Sequence, residues 1–435
     1  MVSPTGAPAI TPTIPRWLTL AETILIAAGV AAYLAMPHEI NSDGLIRLET
    51  TRALARGEIP DAPTGLLMSA LALPLYHFGD VVAAFNTLVF LMGLAAMALL
   101  LRKHVAAHLI RRLILLLLAA SMFGHHAQLF FGEVLTAMFA AVGLVMVVVG
   151  LPVPGFALVM LGVVNTPAAL PALFLVLIDR AKPPHRLWKA VWPTALCAAA
   201  LMLEFYVRRG TPFASGYEGD HGARSILPYS GLPGFSNPIA FGILSILFSF
   251  GKGLALFVPG LWLLFKRPVA GTPDVLRRLQ RHSVWFVVGL VLVYAKWWAW
   301  PGGWFWGPRF FVFACIPASI ALAIHLSDEQ AAPAAKALTI AVLGWSIWVG
   351  INGAVYGQLD MGICNEQPDL EPHCWYTPEF SALFRPFIVP KTLNVMEKAL
   401  FTYSVAVGCV LAAPFALDLL RAGRDRLRNL REEPS

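Results

Sequence analysis

Residues 17–61 read WLTLAETILIAAGVAAYLAMPHEINSDGLIRLETTRALARGEIPD, an apolar run followed at once by a polar segment rich in acidic and basic residues. A helix that crosses a bilayer needs about 20 mostly apolar residues, because its backbone N–H and C=O groups must be satisfied within the segment. The run is too long for the core of a signal peptide, and similar runs recur along the chain. This pattern predicts an all-α, polytopic integral membrane protein.

The composition of the whole chain points to the same class. Of its 435 residues, 58% are hydrophobic and 13% are charged, whereas a soluble domain is about 25% charged. No linker, charged tail or internal repeat divides the chain, so we expect one membrane domain over residues 1–435. The net charge of +7 comes from Lys and Arg beside apolar runs, which indicates membrane topology and not a nucleic-acid partner.

Clusters of Lys and Arg set the predicted topology, because cytoplasmic loops of membrane proteins are enriched in both residues. We assign four basic segments to the cytoplasm: 102–112, 179–189, 266–281 and 421–431. Both termini are then cytoplasmic, in an inner or plasma membrane, and about 12 helices cross it. The predicted spans are 17–36, 81–101, 113–124, 133–150, 155–165, 167–178, 189–206, 254–265, 283–299, 309–326, 337–354 and 397–419.

The polar segments between these spans fall on the outer, non-cytoplasmic face, where some are expected to form juxtamembrane helices. They are residues 37–80, 124–132, 207–238, 296–308 and 355–395. Several arginines lie there against the positive-inside bias: Arg47, Arg52, Arg56, Arg208, Arg209 and Arg224. Attraction to an anionic ligand is one physical reason for such charges.

The cysteines fit the same orientation. Cys364 and Cys374 share one outer loop, whereas the other three lie within predicted spans. An oxidising outer compartment allows a disulfide between the two. A metal pair with the adjacent His373 is the alternative, but no second ligand pair stands at zinc-like spacing.

Two acidic residues stand at predicted ends of membrane helices. Asp43 follows the first apolar run and begins a stretch that suits a helix in the membrane interface, which would hold its carboxylate at the lipid-water boundary. Alternatively, Ser42 or Asp43 only caps that helix. Glu133 lies at the mouth of a span, where an ionisable side chain needs a cavity or a partner; a helix-N-terminal acid favoured by the macrodipole is the other reading.

The remaining candidates are mainly cationic. Lys252 lies between two glycines, an arrangement suited to a phosphate, although an interfacial lysine that snorkels fits as well. Arg309 follows a turn with five Trp, KWWAWPGGWFWGPRFF at 296–311, and its guanidinium could grip a phosphate or a carboxylate such as Glu133. A plain anchoring role for Arg309 stays open.

The sequence blocks around these residues resemble the class C glycosyltransferases (GT-C), polytopic enzymes that use polyprenyl-phosphate-linked sugars. The blocks are SDG at 42–44 with GLLMSALALPLYHFG at 65–79, FFGEVLTAMF at 130–139, FSFGKGLALFVPGLW at 248–262 and WPGGWFWGPRFF at 300–311. Their order covers most of residues 18–326. Family members often carry Lys or Arg at an outer hinge between two short spans, where this chain has Asn165-Thr166-Pro167.

The resemblance implies that Asp43 is the catalytic acidic residue and that Glu133 is the acidic position at the mouth of a later span. Donor phosphate binding then falls to cations elsewhere, and the substrate site is predicted to contain Lys252, Arg309, Arg224, Asp220, His221 and Trp304. A divalent cation, Mg²⁺ or Mn²⁺, could bridge an acidic residue and the phosphate. Whether one is needed stays open.

The implied activity is transfer of a sugar from a polyprenyl-phosphate donor to a cell-envelope glycan, lipid or protein acceptor, with Asp43 as general base and a single, inverting displacement. The main alternative is a multi-span transporter or lipid flippase. Transporters often consist of two related halves, and none is visible in this sequence. The sequence also lacks a P-loop and a GxSxG motif, which argues against ATP-driven and serine-hydrolase chemistry.

Overall fold

The computed structural model describes residues 15–181, 187–358 and 362–432. Within these ranges the protein is all-helical and has no β-strand. The α-helices are α1 Arg16–Ala35, α2 Asp43–Ala55, α3 Leu66–Tyr76, α4 Phe85–Leu101, α5 Ala107–Ala119, α6 Phe123–His126, α7 Gly132–Val148, α8 Pro152–Asn165, α9 Leu170–Ala181, α10 Trp188–Arg209, α11 Ile239–Phe248, α12 Leu254–Phe257, α13 Asp274–Tyr294, α14 Cys315–His325, α15 Pro333–Ile351, α16 Ile363–Glu366, α17 Glu371–Tyr376 and α18 Val395–Glu432.

Short 3₁₀ segments and one π-helical turn join several of these helices. The 3₁₀ segments are Gly79–Ala84, Pro167–Ala169, Pro259–Phe265, Arg309–Ala314, Pro368–Leu370, Pro378–Phe380 and Arg385–Phe387, and the π turn is Asn352–Tyr356.

Five helices in the described ranges are long and apolar enough to cross a membrane: Arg16–Ala35, Gly79–Leu101, Trp188–Arg209, Pro333–Tyr356 and Val395–Asp425. Shorter apolar helices pack among them, including α7, α8 and α11. These apolar helices support an integral membrane protein, whereas the predicted number of about 12 spans is not confirmed. The apolar helices of 10–17 residues are shorter than a full crossing, so the number of membrane spans cannot be obtained by counting them.

The segment predicted as a span at 254–265 differs from the prediction. It consists of the single turn α12 and a 3₁₀ segment that begins at Pro259. The chain approaches α14 closely here, since a Cβ atom on Gly260 would lie 2.6 Å from the carbonyl oxygen of Ala318. The helix that the prediction left out, α11, lies just before this segment.

Helix α7 lies at the centre of the bundle, between α4, α8 and α13. Small residues let α7 and α8 approach closely, because a Cβ atom on Gly143 would lie 2.5 Å from the carbonyl oxygen of Gly155. Close approach of small residues is a common basis of helix packing in membranes. Most of the residues of α7 are buried as a result.

The bundle has two ends, which we call the site face and the opposite face. At the site face, α7 begins and α8 ends, joined by a hydrogen bond of 2.8 Å from Nδ2 of Asn165 to the carbonyl oxygen of Gly132. At the opposite face, the buried carboxylate of Glu22 accepts from Arg111 at 2.7 Å, and Arg112 donates to the carbonyl oxygen of Leu326 at 2.7 Å. The basic segment 102–112, which the sequence analysis assigned to the cytoplasm, therefore lies at the opposite face.

Candidate functional site

Asp43 is the first residue of α2. The preceding Ser42 has a φ of +43°, an unusual value for a residue other than glycine, and its side chain makes no capping hydrogen bond. The structure thus offers no support for a capping role of the Ser42 hydroxyl. The backbone N–H of Glu39 donates to the carbonyl oxygen of Gln128 at 2.8 Å, which holds the approach to Asp43 beside the segment that precedes α7.

Glu133 is the second residue of α7, and its side chain is 14% exposed. The segment before it is held by Asn86, whose Nδ2 donates to the carbonyl oxygens of Leu129 at 2.6 Å and Phe131 at 2.7 Å. An acid in the first turn of a helix interacts favourably with the helix dipole. Asn86 of α4 therefore holds the backbone segment that leads into Glu133.

Arg309 joins the two acidic residues. Its Nη1 donates to Oδ2 of Asp43 at 2.7 Å and lies 3.6 Å from Oε1 of Glu133. The guanidinium is 8% exposed and lies 4.9–5.1 Å from the ring centres of three aromatic residues, Phe131, Phe305 and Phe310. Ion pairing and cation–π contacts together hold this buried arginine in one orientation.

A glycine turn makes room for Arg309. Gly302 has a φ of +72°, and a Cβ atom on it would lie 2.9 Å from Cγ of Arg309. A side chain at this position would be strained by the backbone conformation and would also meet the arginine. The Gly302 turn therefore positions Arg309 beside the carboxylates.

Arg47 is a further cation at the site that the sequence did not distinguish from the other outer arginines. It lies one turn after Asp43 on α2 and is buried. Burial lowers the pKa of the Arg47 guanidinium, while the nearby carboxylates of Glu133 and Asp43 act in the opposite direction. Within the described residues, its Nε and Nη1 are buried and have no hydrogen-bond partner. The spacing of Arg47 from Asp43, about one helical turn, was the signal that could have found it.

The hinge between α8 and α9 also meets this cation. A Cβ atom on Gly132 would overlap Nη2 of Arg47 and lie 3.0 Å from Nδ2 of Asn165. Asn165 donates to Thr136 Oγ1 at 2.9 Å in addition to the Gly132 carbonyl. Where the family resemblance implies a hinge cation, this chain has an amide at the hinge and Arg47 next to it.

Lys252 is buried and points at the aromatic turn. Its Nζ donates to the carbonyl oxygen of Phe305 and, at 3.1 Å, to that of Gly307. Burial lowers the pKa of Lys252 to about 7, and the positive charge of Arg309 acts in the same direction. A phosphate-binding role for Lys252 stays a prediction, while its observed partners are backbone carbonyls of the turn that leads to Arg309.

The loop before α11 contains three predicted site residues, Asp220, His221 and Arg224. All three are exposed, and His221 Nδ1 lies 3.1 Å from the carbonyl oxygen of Gly222. Within the described ranges, none of them has a hydrogen bond or ion pair with Asp43 or Arg309. Their assignment to the substrate site stays a prediction.

The other outer arginines have structural partners. Arg52 pairs with Glu49 and Arg56 with Glu58, in both cases at the surface. Arg208 donates to the carbonyl oxygen of Thr64 at 2.8 Å and to Glu204 at 3.0 Å, and Arg209 pairs with Asp61 at 2.7 Å. Arg47, in contrast to these four, lies close to Glu133 and Asp43.

Trp304 links the site to the loop after α15, which the sequence predicted to lie on the outer face. Its ring stacks on Phe305 with centroids 5.0 Å apart, and its carbonyl oxygen accepts from Nε2 of Gln358 at 2.8 Å. It also packs against the disulfide between Cys364 and Cys374, whose Cα atoms are 6.3 Å apart. This loop thereby contacts the aromatic turn that positions Arg309.

The described residues at the site do not form a divalent-cation site made of protein ligands alone. Among the described residues, no three His, Cys, Asp or Glu side chains form a group able to hold a metal ion. The two carboxylates, Asp43 and Glu133, are instead joined by the guanidinium of Arg309, which takes the position of a bridging cation between them. A Mg²⁺ or Mn²⁺ ion between one carboxylate and the donor phosphate stays a prediction.

Comparison with known proteins gives structural relatives only, since no protein-family profile and no curated protein sequence matches the chain. The crystal structure of ArnT from Cupriavidus metallidurans bound to undecaprenyl phosphate is similar, with a TM-score of 0.52 and 15% identity over 96% of this chain and 81% of that one. The same protein in the apo state aligns with a TM-score of 0.51 and 13% identity over 92% and 76% of the two chains. These two similarities support the GT-C fold class.

The GT-C fold is what the sequence resemblance implied, and the similarity extends beyond the four blocks to nearly the whole chain. At this level of identity the similarity concerns the fold. The roles of Asp43, Glu133, Arg47 and Arg309 depend on their arrangement in this chain.

Proposed function

We propose that this protein is a membrane glycosyltransferase that transfers a sugar from a polyprenyl-phosphate donor to a hydroxyl group of an envelope glycan, lipid or protein acceptor. The reaction takes place at the site face, which we assign to the non-cytoplasmic side. The observation that carries the proposal is the meeting of two carboxylates and two arginines, Asp43, Glu133, Arg47 and Arg309, at one end of an apolar helical bundle. The fold similarity to a protein solved with undecaprenyl phosphate supports this donor class.

Asp43 acts as the general base, because its side chain, 39% exposed, is the more accessible of the two carboxylates. The acceptor oxygen forms a bond to the anomeric carbon while the bond from that carbon to the phosphate oxygen breaks. The acceptor proton passes to Asp43, and the electron pair of the broken bond leaves with the polyprenyl phosphate. One displacement of this kind inverts the anomeric configuration.

The two arginines stabilise the leaving phosphate. In the described part of the chain, Nε of Arg309 and Nε and Nη1 of Arg47 are buried N–H donors without a hydrogen-bond partner. A buried donor left unpaired costs about 1–3 kcal/mol, and the oxygens of a bound phosphate would satisfy it with a charge-assisted hydrogen bond. Cations that stabilise the departing charge can replace the carboxylic acid of hydrolytic glycosidases.

Glu133 and Lys252 have positioning roles in this proposal. Glu133 lies 3.6 Å from the same Nη1 atom of Arg309 that donates to Asp43. Lys252 holds the carbonyls of Phe305 and Gly307, four and two residues before Arg309. Both therefore act through the arginine and do not touch the reacting atoms.

A transporter or flippase is less well supported, because its substrate site would lie at mid-membrane depth between related halves. Asp43 and Glu133 instead lie in the first turns of α2 and α7, at one end of the bundle. The two possibilities predict different products, a new glycosidic bond or a translocated lipid.

The test is reconstitution of the full-length protein in lipid vesicles with labelled polyprenyl-phosphate sugars and a set of hydroxyl acceptors. Asp43→Asn should fold normally and lose transfer by about 100-fold or more, the scale of a lost general base. Glu49→Gln is the matched control, since Glu49 lies on the same helix but pairs with Arg52 at the surface. Lipid translocation without sugar transfer, or full activity in Asp43→Asn, would reject the proposal.

A further inference from the structure

A cavity lies at the opposite face, away from Asp43 and Arg309. It has a volume of about 780 Å³ and is formed by α8, α9, α10 and α13. Its lining residues lie at the start of α8, α10 and α13 and at the end of α9. Because α8 runs from this cavity to Asn165 at the site face, the cavity is separate from the candidate catalytic site.

The mouth of the cavity is positively charged. Four basic side chains line it, Arg180, Lys189, Arg278 and Arg281, and Asp179 is the one acid among the described lining residues. Asp179 already accepts from Nε of Arg281 at 3.0 Å. Three of the four positive charges therefore have no negative counterpart among the described lining residues.

Two of these cations face aromatic rings. The guanidinium of Arg180 lies 5.8 Å from the ring centre of Phe156, and Nζ of Lys189 lies 5.8 Å from the ring centre of Trp188. Neither has an ion pair within the described ranges. Their charges are thus available to an anion at the mouth of the cavity.

The walls beyond the charged mouth are apolar and open toward the surrounding bilayer. Trp188, Trp192 and Leu196 of α10 line the cavity and are more than half exposed, as is Val153 on the facing helix α8. Trp is enriched at the membrane–water interface, where an apolar ring can sit beside polar headgroups. A ligand of this cavity therefore needs a negative head and an apolar body.

We propose that this cavity binds one anionic phospholipid from the membrane leaflet at the opposite face. The phosphate lies near Arg180 and Lys189, and an acyl chain lies along Trp192 and Leu196. A soluble phosphate would match the charges but would leave the exposed apolar walls without a partner. The volume is in the range of about 300–1,000 Å³ that is usual for small-molecule sites, which suits a headgroup and part of an acyl chain. Basic pockets between membrane helices are suited to anionic headgroups. This site is independent of the proposed glycosyl transfer.

The experiment measures phosphatidylglycerol retained by the purified full-length protein, by native mass spectrometry, after exchange into mixed phosphatidylglycerol and phosphatidylcholine micelles. The wild type should retain one phosphatidylglycerol in preference to phosphatidylcholine. Arg180→Gln combined with Lys189→Gln should lower this retention by about tenfold or more, since each basic residue near an anionic lipid contributes about fivefold. Arg180→Lys combined with Lys189→Arg should keep it.

Arg277→Gln combined with Arg421→Gln is the control, because it removes the same number of charges at the same face from residues outside the cavity lining. A photoactivatable phosphatidylglycerol with the reactive group on its acyl chain locates the lipid in the wild type, and the label should appear within residues 152–160 or 188–196. Equal retention of the two lipids, equal loss in the control variant, or labelling elsewhere would overturn the proposal. Displacement by inorganic phosphate alone would do so as well, because it would identify a soluble anion site.

Discussion

Arg309 and Asp43 are 266 positions apart in the sequence, and their side chains are joined by a hydrogen bond of 2.7 Å between Nη1 and Oδ2. The same Nη1 atom lies 3.6 Å from Glu133. One arginine thus holds together three segments: the start of α2, the start of α7 and the aromatic turn before α14. The proposed general base is thus held in place by this junction.

Replacing Arg309 by Lys should lower glycosyl transfer by about 100-fold or more. A lysine keeps the positive charge but cannot donate to Asp43 and to a phosphate with a planar fork, and loss of one preorganised donor costs on this scale. Transfer rates of the reconstituted variant measure the effect. Arg52→Lys, a surface arginine on α2 that pairs with Glu49, should remain fully active.

The link between Arg309 and Asp43 adds a second readout to this prediction. If the two residues act as a unit, the double variant Asp43→Asn, Arg309→Lys should lose little more activity than either single variant. If the loss of activity in the double variant instead equals the product of the two single losses, the ion pair in the structure has no part in the reaction.

The variant Arg47→Gln should lower kcat/KM for the donor by about tenfold or more, with little change in thermal stability. The magnitude is that of a lost hydrogen bond to a charged group, about 1.5–3 kcal/mol. Gly132→Ala should have a similar but smaller effect, because its new methyl group would push against Nη2 of Arg47.

Gly344→Ala is the matched control for the glycine variant, since it lies within α15 with no atom near the new methyl group. Steady-state kinetics with a varied concentration of polyprenyl-phosphate sugar provide the measurement. An unchanged kcat/KM in Arg47→Gln would exclude a contact between Arg47 and the donor phosphate.

Lys252 should make the stability of the protein depend on pH above neutrality. Its pKa is lowered to about 7 in the fold, whereas a lysine in an unfolded chain has a pKa of about 10.4. Between these two pH values the unfolded chain binds a proton that the folded chain does not, so the free energy of unfolding rises with pH. Below about pH 7 both states are protonated at Lys252, and this residue then adds no pH dependence. Relative to Lys252→Met, the Tm of the wild type should therefore increase by roughly 3 °C or more between about pH 7 and pH 9.5.

Thermal unfolding in detergent at several pH values measures this difference. Lys398→Met controls for the loss of a lysine at an exposed position, and its Tm should follow the wild type at every pH. Parallel profiles for the wild type and Lys252→Met would contradict the burial of a titrating amine.

Removal of the disulfide by Cys364→Ser with Cys374→Ser should destabilise the outer loop by roughly 2–3 kcal/mol, the chain-entropy scale for so short a loop. Because this loop packs against Trp304, limited proteolysis of residues 362–390 should become faster. Cys409→Ser, an exposed free cysteine on α18, should leave both stability and proteolysis unchanged.

Much of the membrane architecture could be read from the sequence. Apolar runs of sufficient length predicted the long helices near α1, α4, α10, α15 and α18, because hydrophobic length is a local property. The broken segment at 254–265 could not be predicted in this way. Its path depends on the close approach of Gly260 to α14, which is a contact between distant parts of the chain.

The site was predicted unevenly for the same reason. A carboxylate partner for Arg309 was expected, and the structure provides both Glu133 and Asp43. In contrast, the only local signal for Arg47 is its spacing of one helical turn from Asp43, and its proximity to Glu133 depends on the packing of α2 beside α7. The partners of Lys252, two backbone carbonyls, also lie more than 50 residues away.

By itself, the sequence determined the chemical character of this protein: apolar helices that require a membrane and charged residues gathered at their ends. The tertiary structure decided which of those charges meet. Helix periodicity and hydrophobicity act over one or two turns, whereas the junction of Arg309 with Asp43 and Glu133 forms only when the close packing of α7 and α8 and the Gly302 turn bring three distant segments together.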